Sequence, residues 1–217
     1  MPTFGPQHLW FLLVAAGWTL ALSGIAFVGG GLLGFAVAMA RISRNRILRG
    51  AAIAYVQVVQ GTPLLILLFM IYFGLAIAGF DGLPALVAAG AGLTIYASGF
   101  LGEIWRGCIE SVPRTQWEAA ECLALSRWQR MRRVILPQAM RIATAPTVGF
   151  MVQIVKNTSL ASVVGFVELS QAGKLINNSV FQPFIIFVVV AGFYFAICYP
   201  LSAFSRRLER KLNVGRR

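Results

Sequence analysis

The chain has 217 residues, of which 58% are hydrophobic and only 12% are charged, and its mean hydropathy is +0.76. A typical soluble domain is about 45–50% apolar and about 25% charged. So little charge excludes a soluble globular domain and a disordered chain, and it indicates a membrane protein. Lysine and arginine outnumber aspartate and glutamate by 19 to 7, so the net charge of +12 points to a membrane surface or to nucleic acid.

Five apolar segments predict five transmembrane helices, since each is long enough to cross a bilayer. Their approximate bounds are 11–39, 55–79, 84–104, 142–166 and 184–204. No basic residue precedes the first segment, which is therefore predicted as a retained span and not a signal peptide. The second contains Gly61-Thr62-Pro63, where the helix is expected to form an elbow or to kink. The third is expected to begin at Pro84, after the turn Asp81-Gly82-Leu83.

The predicted fold class is an all-α, polytopic membrane helix bundle that forms one domain over residues 1–217. Basic residues lie between spans one and two, between spans three and four, and after span five, so 17 of the 19 cations fall on one side of the membrane. The positive-inside rule places that side in the cytoplasm, with the N-terminus outside and the C-terminus inside. Because the cations mark a membrane boundary, where they can also touch anionic lipid, the nucleic-acid interpretation is rejected.

The sequence offers little for metal or nucleotide chemistry. The single histidine, His8, has no partner ligand nearby, and the three cysteines lack disulfide or zinc spacing. The sequence contains no G-x-x-x-x-G-K-[ST] run, so any ATPase must be another chain. We therefore expect no catalytic residue, no metal and no bound cofactor in this chain.

The segment of about residues 106–140, between spans three and four, is the most informative part of the sequence. Pro113 is expected to end the preceding helix, and Thr115 and Glu118 have the spacing of a capping box for a new one. Ser126 is expected to cap a further helix, and Pro137 predicts a break before the next span. From the residues alone, an amphipathic helix that lies on lipid and a helix that docks on a partner are equally supported.

Part of this segment resembles the EAA loop of binding-protein-dependent ATP-binding-cassette (ABC) importers. That pattern reads E-A-A, three residues, G, nine residues and I-x-L-P, and this chain has Glu118-Ala119-Ala120, then Ala124, then Val134-Ile135-Leu136-Pro137. Ala124 stands where Gly is usual, and Val134 where Ile is usual. Further blocks are similar to polar amino-acid permeases, namely Gln60–Leu65 with Ile71–Leu75, Gly102–Gly107, Val134–Ala139 and Lys156–Leu160. The chain thus resembles a permease subunit of the histidine/glutamine/arginine-type amino-acid importers.

This resemblance implies an assembly in the bacterial inner membrane. Two permease subunits, identical or homologous, would form the translocation path, and an extracytoplasmic binding protein would deliver the amino acid. Two cytoplasmic ATPases would use ATP and magnesium, and alternating access would follow from their closure. The helix Glu118–Ser126 would be the coupling helix, which docks in a groove on the ATPase. Glu118 would contact the ATPase surface, and the small residues of the helix would let the two proteins approach closely. The coupling residues implied in this way are Glu118, Ala119, Ala120, Ala124, Leu125 and Ser126.

Polar residues at membrane depth are candidates for the substrate path, since an intramembrane charge costs on the order of 2.5–3.5 kcal/mol. Lys156 would oppose the carboxylate of an amino acid, and Asn157, Thr158 and Ser159 would add hydrogen bonds. A helix broken near Thr158 would also offer backbone amides to that carboxylate.

Glu103, at the end of span three, would oppose the ammonium group of the substrate. The structural alternatives are an ion pair of Glu103 with Lys156 or Arg106, and snorkelling to the interface. Gln57, Gln60 and Thr62 form a polar stripe that would either line the path or bond between helices.

Two other classes of function stay open on the sequence. One is a small secondary carrier or channel for small polar solutes, which would need no ATPase. The other is a membrane-assembly protein without a transport role, which would show no substrate-dependent ATPase activity.

Overall fold

The computed structural model describes residues 4–79 and 82–214, without the side chains of 212–214, and its regular structure there is helical. Asp81 of the predicted turn, and Arg216 and Arg217 among the basic residues after span five, lie outside the described residues. The helices are α1 (Pro6–Arg41), α2 (Arg46–Gly61), α3 (Leu64–Ile77), α4 (Ala85–Glu110), α5 (Arg114–Cys122), α6 (Arg127–Arg130), α7 (Leu136–Asn157), α8 (Leu169–Val180) and α9 (Pro183–Val214). A π-helical turn (Met131–Ile135) joins α6 to α7, and a 3₁₀ segment (Thr158–Val164) follows α7.

Within the described ranges, α1, α4 and α9 are each long and apolar enough to cross a membrane. Two further pairs of helical segments are bent at a short break, and the number of candidate spans is five if each pair is counted as one span. These are α2 with α3, and the run from α6 through the 3₁₀ segment with α8. All five predicted apolar segments overlap these elements in the predicted order, so the all-α, multi-pass bundle is confirmed.

The second span is an elbow. Helix α2 ends at Gly61, α3 begins at Leu64, and the two helices are bent by 104°. Thr62 and Pro63 between them are extended, with ψ values of 128° and 134°. Because a proline disfavours helical conformation in the residue before it, the predicted interruption at this position has a local cause.

The chain between the fourth and fifth predicted spans contains α8 and is not a plain loop. Gly165, with φ of +81°, ends the 3₁₀ segment, and Glu168 then caps α8 by accepting hydrogen bonds from two backbone N–H groups. The buried face of α8, which packs with residues of α1 and α9, consists of Leu169, Ala172, Ile176 and Val180. Lys174, which lies between the fourth and fifth predicted spans, is therefore on a helix and not in a loop.

Close packing joins α1 to α4. A Cβ added to Gly30 would lie 2.4 Å from the Cβ of Ala97, and one added to Gly34 would lie 3.1 Å from the Ser98 carbonyl oxygen. Small residues let two spans approach in this way, so these two glycines act as packing contacts between α1 and α4.

The segment of residues 106–140, which is predicted to be cytoplasmic, departs from its predicted form at two positions. Pro113 directly precedes α5 and no side chain caps that helix, so the capping box at Thr115 is wrong. Ser126 caps α6 as predicted, and its hydroxyl accepts the N–H of Gln129 at 3.3 Å. Pro137 does not break the helix, because it lies in the first turn of α7, where its missing N–H is tolerated. The π-helical turn before it keeps the chain helical from α6 into α7.

Candidate functional site

Helix α5, in the segment of residues 106–140, presents one side to solvent. Glu118 and Ala119 are exposed, whereas Ala120 is only 2% exposed. Ala120 therefore packs within its own chain, which corrects the expectation that it allows approach of a partner. Ser126 is exposed, and its hydroxyl serves as the cap of α6, while Leu125 is partly buried.

The turn after α5 holds Ala124 in the left-handed region, with φ of +52°. The N–H of Ala124 donates to the carbonyl of Glu121 at 2.9 Å, and that of Leu125 donates to the carbonyl of Ala120 at 3.3 Å. This is the Schellman pattern, in which glycine is the usual residue because it has no Cβ to clash. The alanine that departs from the family pattern thus occupies a strained backbone position.

Two large apolar side chains near this turn face solvent. Leu123 is 74% exposed and Trp128 is 68% exposed. Large apolar side chains exposed in a polar segment are candidates for an interaction site. Neither residue was predicted as a site residue from the sequence, although their position in an otherwise polar segment was a signal.

An apolar cluster anchors this segment to the spans. Its buried members come from the end of α4, the linker after it, the π-helical turn and the start of α7, and they are Ile109, Val112, Met131, Ile135 and Ala139. Trp117 of α5 packs against the cluster. Arg127 donates to the carbonyl of Ile42, after α1, at 3.1 Å, and Arg130 pairs with Glu121 of α5 at 3.0 Å. A displacement of α5 would therefore act on the ends of three spans.

Glu103 lies between two arginines at the predicted cytoplasmic end of α4. Arg41, from the end of α1, donates to Oε2 at 3.0 Å, and Arg106 donates through Nε to Oε1 at 3.0 Å. Arg106 also pairs with Glu110. The predicted ion pair with Arg106 is confirmed, whereas no hydrogen bond or salt bridge joins Glu103 to Lys156 in the described part of the chain. A role of Glu103 in the substrate path stays a prediction.

Lys156 is exposed in the last turn of α7. Its ammonium group makes no salt bridge or hydrogen bond with any residue that the structure describes. Ser159, one turn on, is partly buried, and its hydroxyl donates to the Lys156 carbonyl at 2.7 Å. The cation is thus available to a ligand or a neighbouring subunit, which leaves its path role as a prediction.

Of the other two members of this group, Thr158 is buried and Asn157 is partly buried. Thr158 is completely buried, and its hydroxyl donates to the Val155 carbonyl at 2.7 Å, which is a structural contact. Asn157 accepts a hydrogen bond from Gln153 at 3.2 Å, and among the described residues its buried Nδ2 has no partner. The α-helix ends at Asn157 and continues as a 3₁₀ segment from Thr158 to Val164, and a bend of 50° separates that segment from α8. A contact of the backbone amides near Thr158 with substrate stays a prediction.

The polar stripe on α2 is mostly solvent-accessible in the single subunit. Gln57 and Gln60 are exposed, Gln60 donates weakly to the Gly99 carbonyl at 3.4 Å, and Thr62 lies in the elbow. The stronger interhelical bond is one that the sequence did not reveal, between Tyr55 and Ser98 at 2.6 Å. A path role for the stripe stays a prediction.

A buried polar network at α8 was also missed. Glu168 is completely buried, and its carboxylate accepts from the N–H groups of Ser170 and Gln171 and from the Tyr194 hydroxyl at 2.7 Å. The backbone N–H of Leu169, the residue after Glu168, donates to the hydroxyl of Thr19 on α1 at 3.1 Å. A lone glutamate in a polar loop carries no sequence signal for such burial.

The sequence also matches known proteins. Residues 30–214 match the family described as binding-protein-dependent transport system inner membrane component. The chain is 35% identical over 201 residues to the "Probable amino-acid ABC transporter permease protein YckA" of Bacillus subtilis, covering 93% of this chain and 88% of that protein. It is 34% identical over 204 residues to the glutamine transport system permease protein GlnP of Escherichia coli, covering 94% and 93%.

Solved structures agree with these relatives. The crystal structure of an amino acid ABC transporter with histidines matches with a TM-score of 0.89 at 29% identity, covering 94% of this chain and 95% of that one. The inward-facing MetNI methionine ABC transporter matches with a TM-score of 0.80 at 22% identity, covering 96% and 99%, which supports the fold alone. The chain therefore belongs to the family of inner membrane components of binding-protein-dependent transport systems, and it is a transport subunit and not an enzyme.

Proposed function

We propose that this chain is the permease subunit of an ATP-driven amino-acid importer of the bacterial inner membrane. The names of its relatives as amino-acid and glutamine permeases support that substrate class. In the proposed assembly, a second permease completes the path and a binding protein delivers substrate from outside. Two cytoplasmic ATPases bind and hydrolyse ATP with magnesium.

The observation that carries this proposal is the form of the cytoplasmic segment. Glu118 is exposed, and the same segment also exposes the apolar side chains of Leu123 and Trp128, so it offers a partner both charge and apolar area. The same segment is anchored to the ends of α1, α4 and α7. When the ATPases close on ATP, they would move α5, and the spans would reopen toward the outside.

Substrate contact is proposed for Lys156, with Asn157 and Ser159 beside it. The exposed ammonium group lies at the end of α7, where it can meet the carboxylate that every amino acid carries. Thr158 is excluded from direct contact by its complete burial. The identity of the amino acid would depend on the binding protein, so a panel of amino acids bound to that partner is the appropriate test of specificity.

The coupling role of α5 is tested by reversing the charge of Glu118. The transporter is reconstituted with its ATPase and binding protein, and ATP hydrolysis and amino-acid uptake are measured together. Glu118→Lys is expected to separate hydrolysis from uptake while the subunit still inserts, because it alters the proposed ATPase contact. Glu209→Lys is the control, since it reverses an exposed glutamate on α9.

Each alternative predicts a different result in that experiment. If Glu118→Lys leaves binding-protein-stimulated hydrolysis and uptake unchanged, the coupling role is refuted, and α5 lying on lipid would explain the result. Uptake by the permease without any ATPase would indicate a secondary carrier or channel. No substrate-dependent hydrolysis in the wild type would indicate an assembly protein.

We also propose that the N-terminus lies outside and the C-terminus in the cytoplasm, as the distribution of basic residues predicts. A reporter that is active only in the cytoplasm, fused after Arg217, is expected to be active. The same reporter fused before α1 is expected to be inactive. The reverse pattern would refute the orientation.

A further inference from the structure

One side-chain amide connects α5 to α7. Gln138, in the first turn of α7, donates through Nε2 to Oε1 of Gln116 on α5 at 3.2 Å. The same nitrogen donates to the carbonyl of Val134, in the π-helical turn, at 2.9 Å. Among the described residues, the bond between Gln138 and Gln116 is the side-chain hydrogen bond that joins α5 to α7. The ion pair of Glu121 on α5 goes to Arg130, which belongs to α6 and not to α7.

The carbonyl that Gln138 contacts belongs to an irregular part of the helix. The N–H of Leu136 donates to the carbonyl of Met131, five residues back, which is the π-helical pattern. Pro137 follows and has no N–H, so it cannot continue the backbone bonding at this point. The Gln138 side chain supplies an additional donor to this turn, and it links the turn to α5.

We propose that Gln138 is a positioning residue for coupling, which transmits a displacement of α5 to the start of α7. The inference rests on the proposed function, because it assigns a residue to the movement that α5 undergoes. The two hydrogen bonds of Gln138 make α5 and the π-helical turn move together. The apolar cluster that anchors this segment holds it in place by packing. The hydrogen bonds of Gln138 fix the orientation of α5 relative to the π-helical turn, because hydrogen bonds weaken steeply when their angle changes.

The experiment measures amino-acid uptake per ATP hydrolysed by the whole transporter in proteoliposomes. The probe is radiolabelled glutamine, histidine or arginine, whichever the wild-type complex accumulates. Gln138→Leu and Gln116→Leu each remove the bridge and are expected to lower this ratio by about two- to tenfold, the factor that corresponds to one net hydrogen bond. The double variant is expected to show no further loss, because both changes remove the same contact.

Two further variants separate the bridge from helix stability. Gln138→Glu can still accept a hydrogen bond from the Gln116 amide, but it cannot donate to Val134, so it is expected to retain more coupling than Gln138→Leu. Thr144→Val is the control, because the Thr144 hydroxyl donates to the Met140 carbonyl within α7 and does not contact α5. It is expected to leave the ratio unchanged.

The proposal is overturned if both leucine variants transport as many molecules per ATP as the wild type. It is also overturned if they reduce only the amount of assembled transporter, since the bridge would then be structural. Additive losses in the double variant would show that the two glutamines act separately, and would overturn it as well. If the wild-type complex shows no ATP-dependent uptake, the proposed function itself has failed, which is a distinct result.

Discussion

Replacing Gly30 with alanine tests the close packing of α1 on α4. The new Cβ would lie 2.4 Å from the Cβ of Ala97 and 3.2 Å from the Thr94 carbonyl oxygen. Optimal contact between carbon atoms is about 3.5–4.0 Å, so the first distance is too short by more than 1 Å. An alanine Cβ cannot rotate away from the backbone, and the two helices must therefore separate.

The magnitude follows from two opposing effects. Overpacking a closely packed site costs about 1–3 kcal/mol, while alanine is up to about 1 kcal/mol better than glycine within a helix. We expect Gly30→Ala to lower the free energy of unfolding by about 1–2 kcal/mol. Adding Ala97→Gly removes the shortest contact, so the double variant is expected to recover most of the loss.

The assay is unfolding of the purified subunit in mixed micelles with increasing dodecyl sulfate, followed by circular dichroism. Gly24→Ala is the matched control, because it lies on the same helix and its added Cβ would meet no atom within 4 Å. That control is expected to be neutral or slightly stabilising. Equal stability of Gly30→Ala and Gly24→Ala, or no recovery on adding Ala97→Gly, would refute the packing argument.

Three further predictions follow from single residues. Ala124→Gly is expected to raise the free energy of unfolding by about 1 kcal/mol, because the left-handed backbone costs alanine about 1–2 kcal/mol; a lower thermal midpoint of the complex would contradict this. Glu103→Gln is expected to destabilise the chain by about 1–3 kcal/mol, because two guanidinium groups lose a charged acceptor; a double-mutant cycle with Arg41→Met that shows no coupling energy would exclude the pair as the cause. Lys156→Met is expected to reduce uptake while the complex still assembles, with Lys174→Met as the control for loss of a cation; failure of assembly would indicate a structural role instead.

Local features of the sequence were sufficient for much of the fold. The elbow at Gly61-Thr62-Pro63 was predictable because proline acts on the residue directly before it. The cap at Ser126 was predictable because its partner lies three residues away. The capping box at Thr115 failed because Pro113 already starts the helix, and two start signals so close together cannot both be used.

The candidate site was less predictable, because its contacts join distant parts of the chain. The pairing of Glu103 with Arg41 spans 62 residues, and that of Thr19 with Leu169 spans 150. The sequence around these four residues contains no pattern that identifies which residue pairs with which. The same applies to Gln116 and Gln138, since a glutamine on a polar segment is ordinarily solvated.

Composition and charge by themselves determined that this is a multi-pass membrane protein with a basic side predicted to be cytoplasmic. They do so because the bilayer sets the length of an apolar segment and the positive-inside rule depends on residues counted along the chain. The tertiary structure decided which charges are paired and which remain available. Arg41 and Arg106 form ion pairs with Glu103, whereas Lys156 is exposed. Ion pairing depends on distances of a few ångström, which only the packing of the spans establishes.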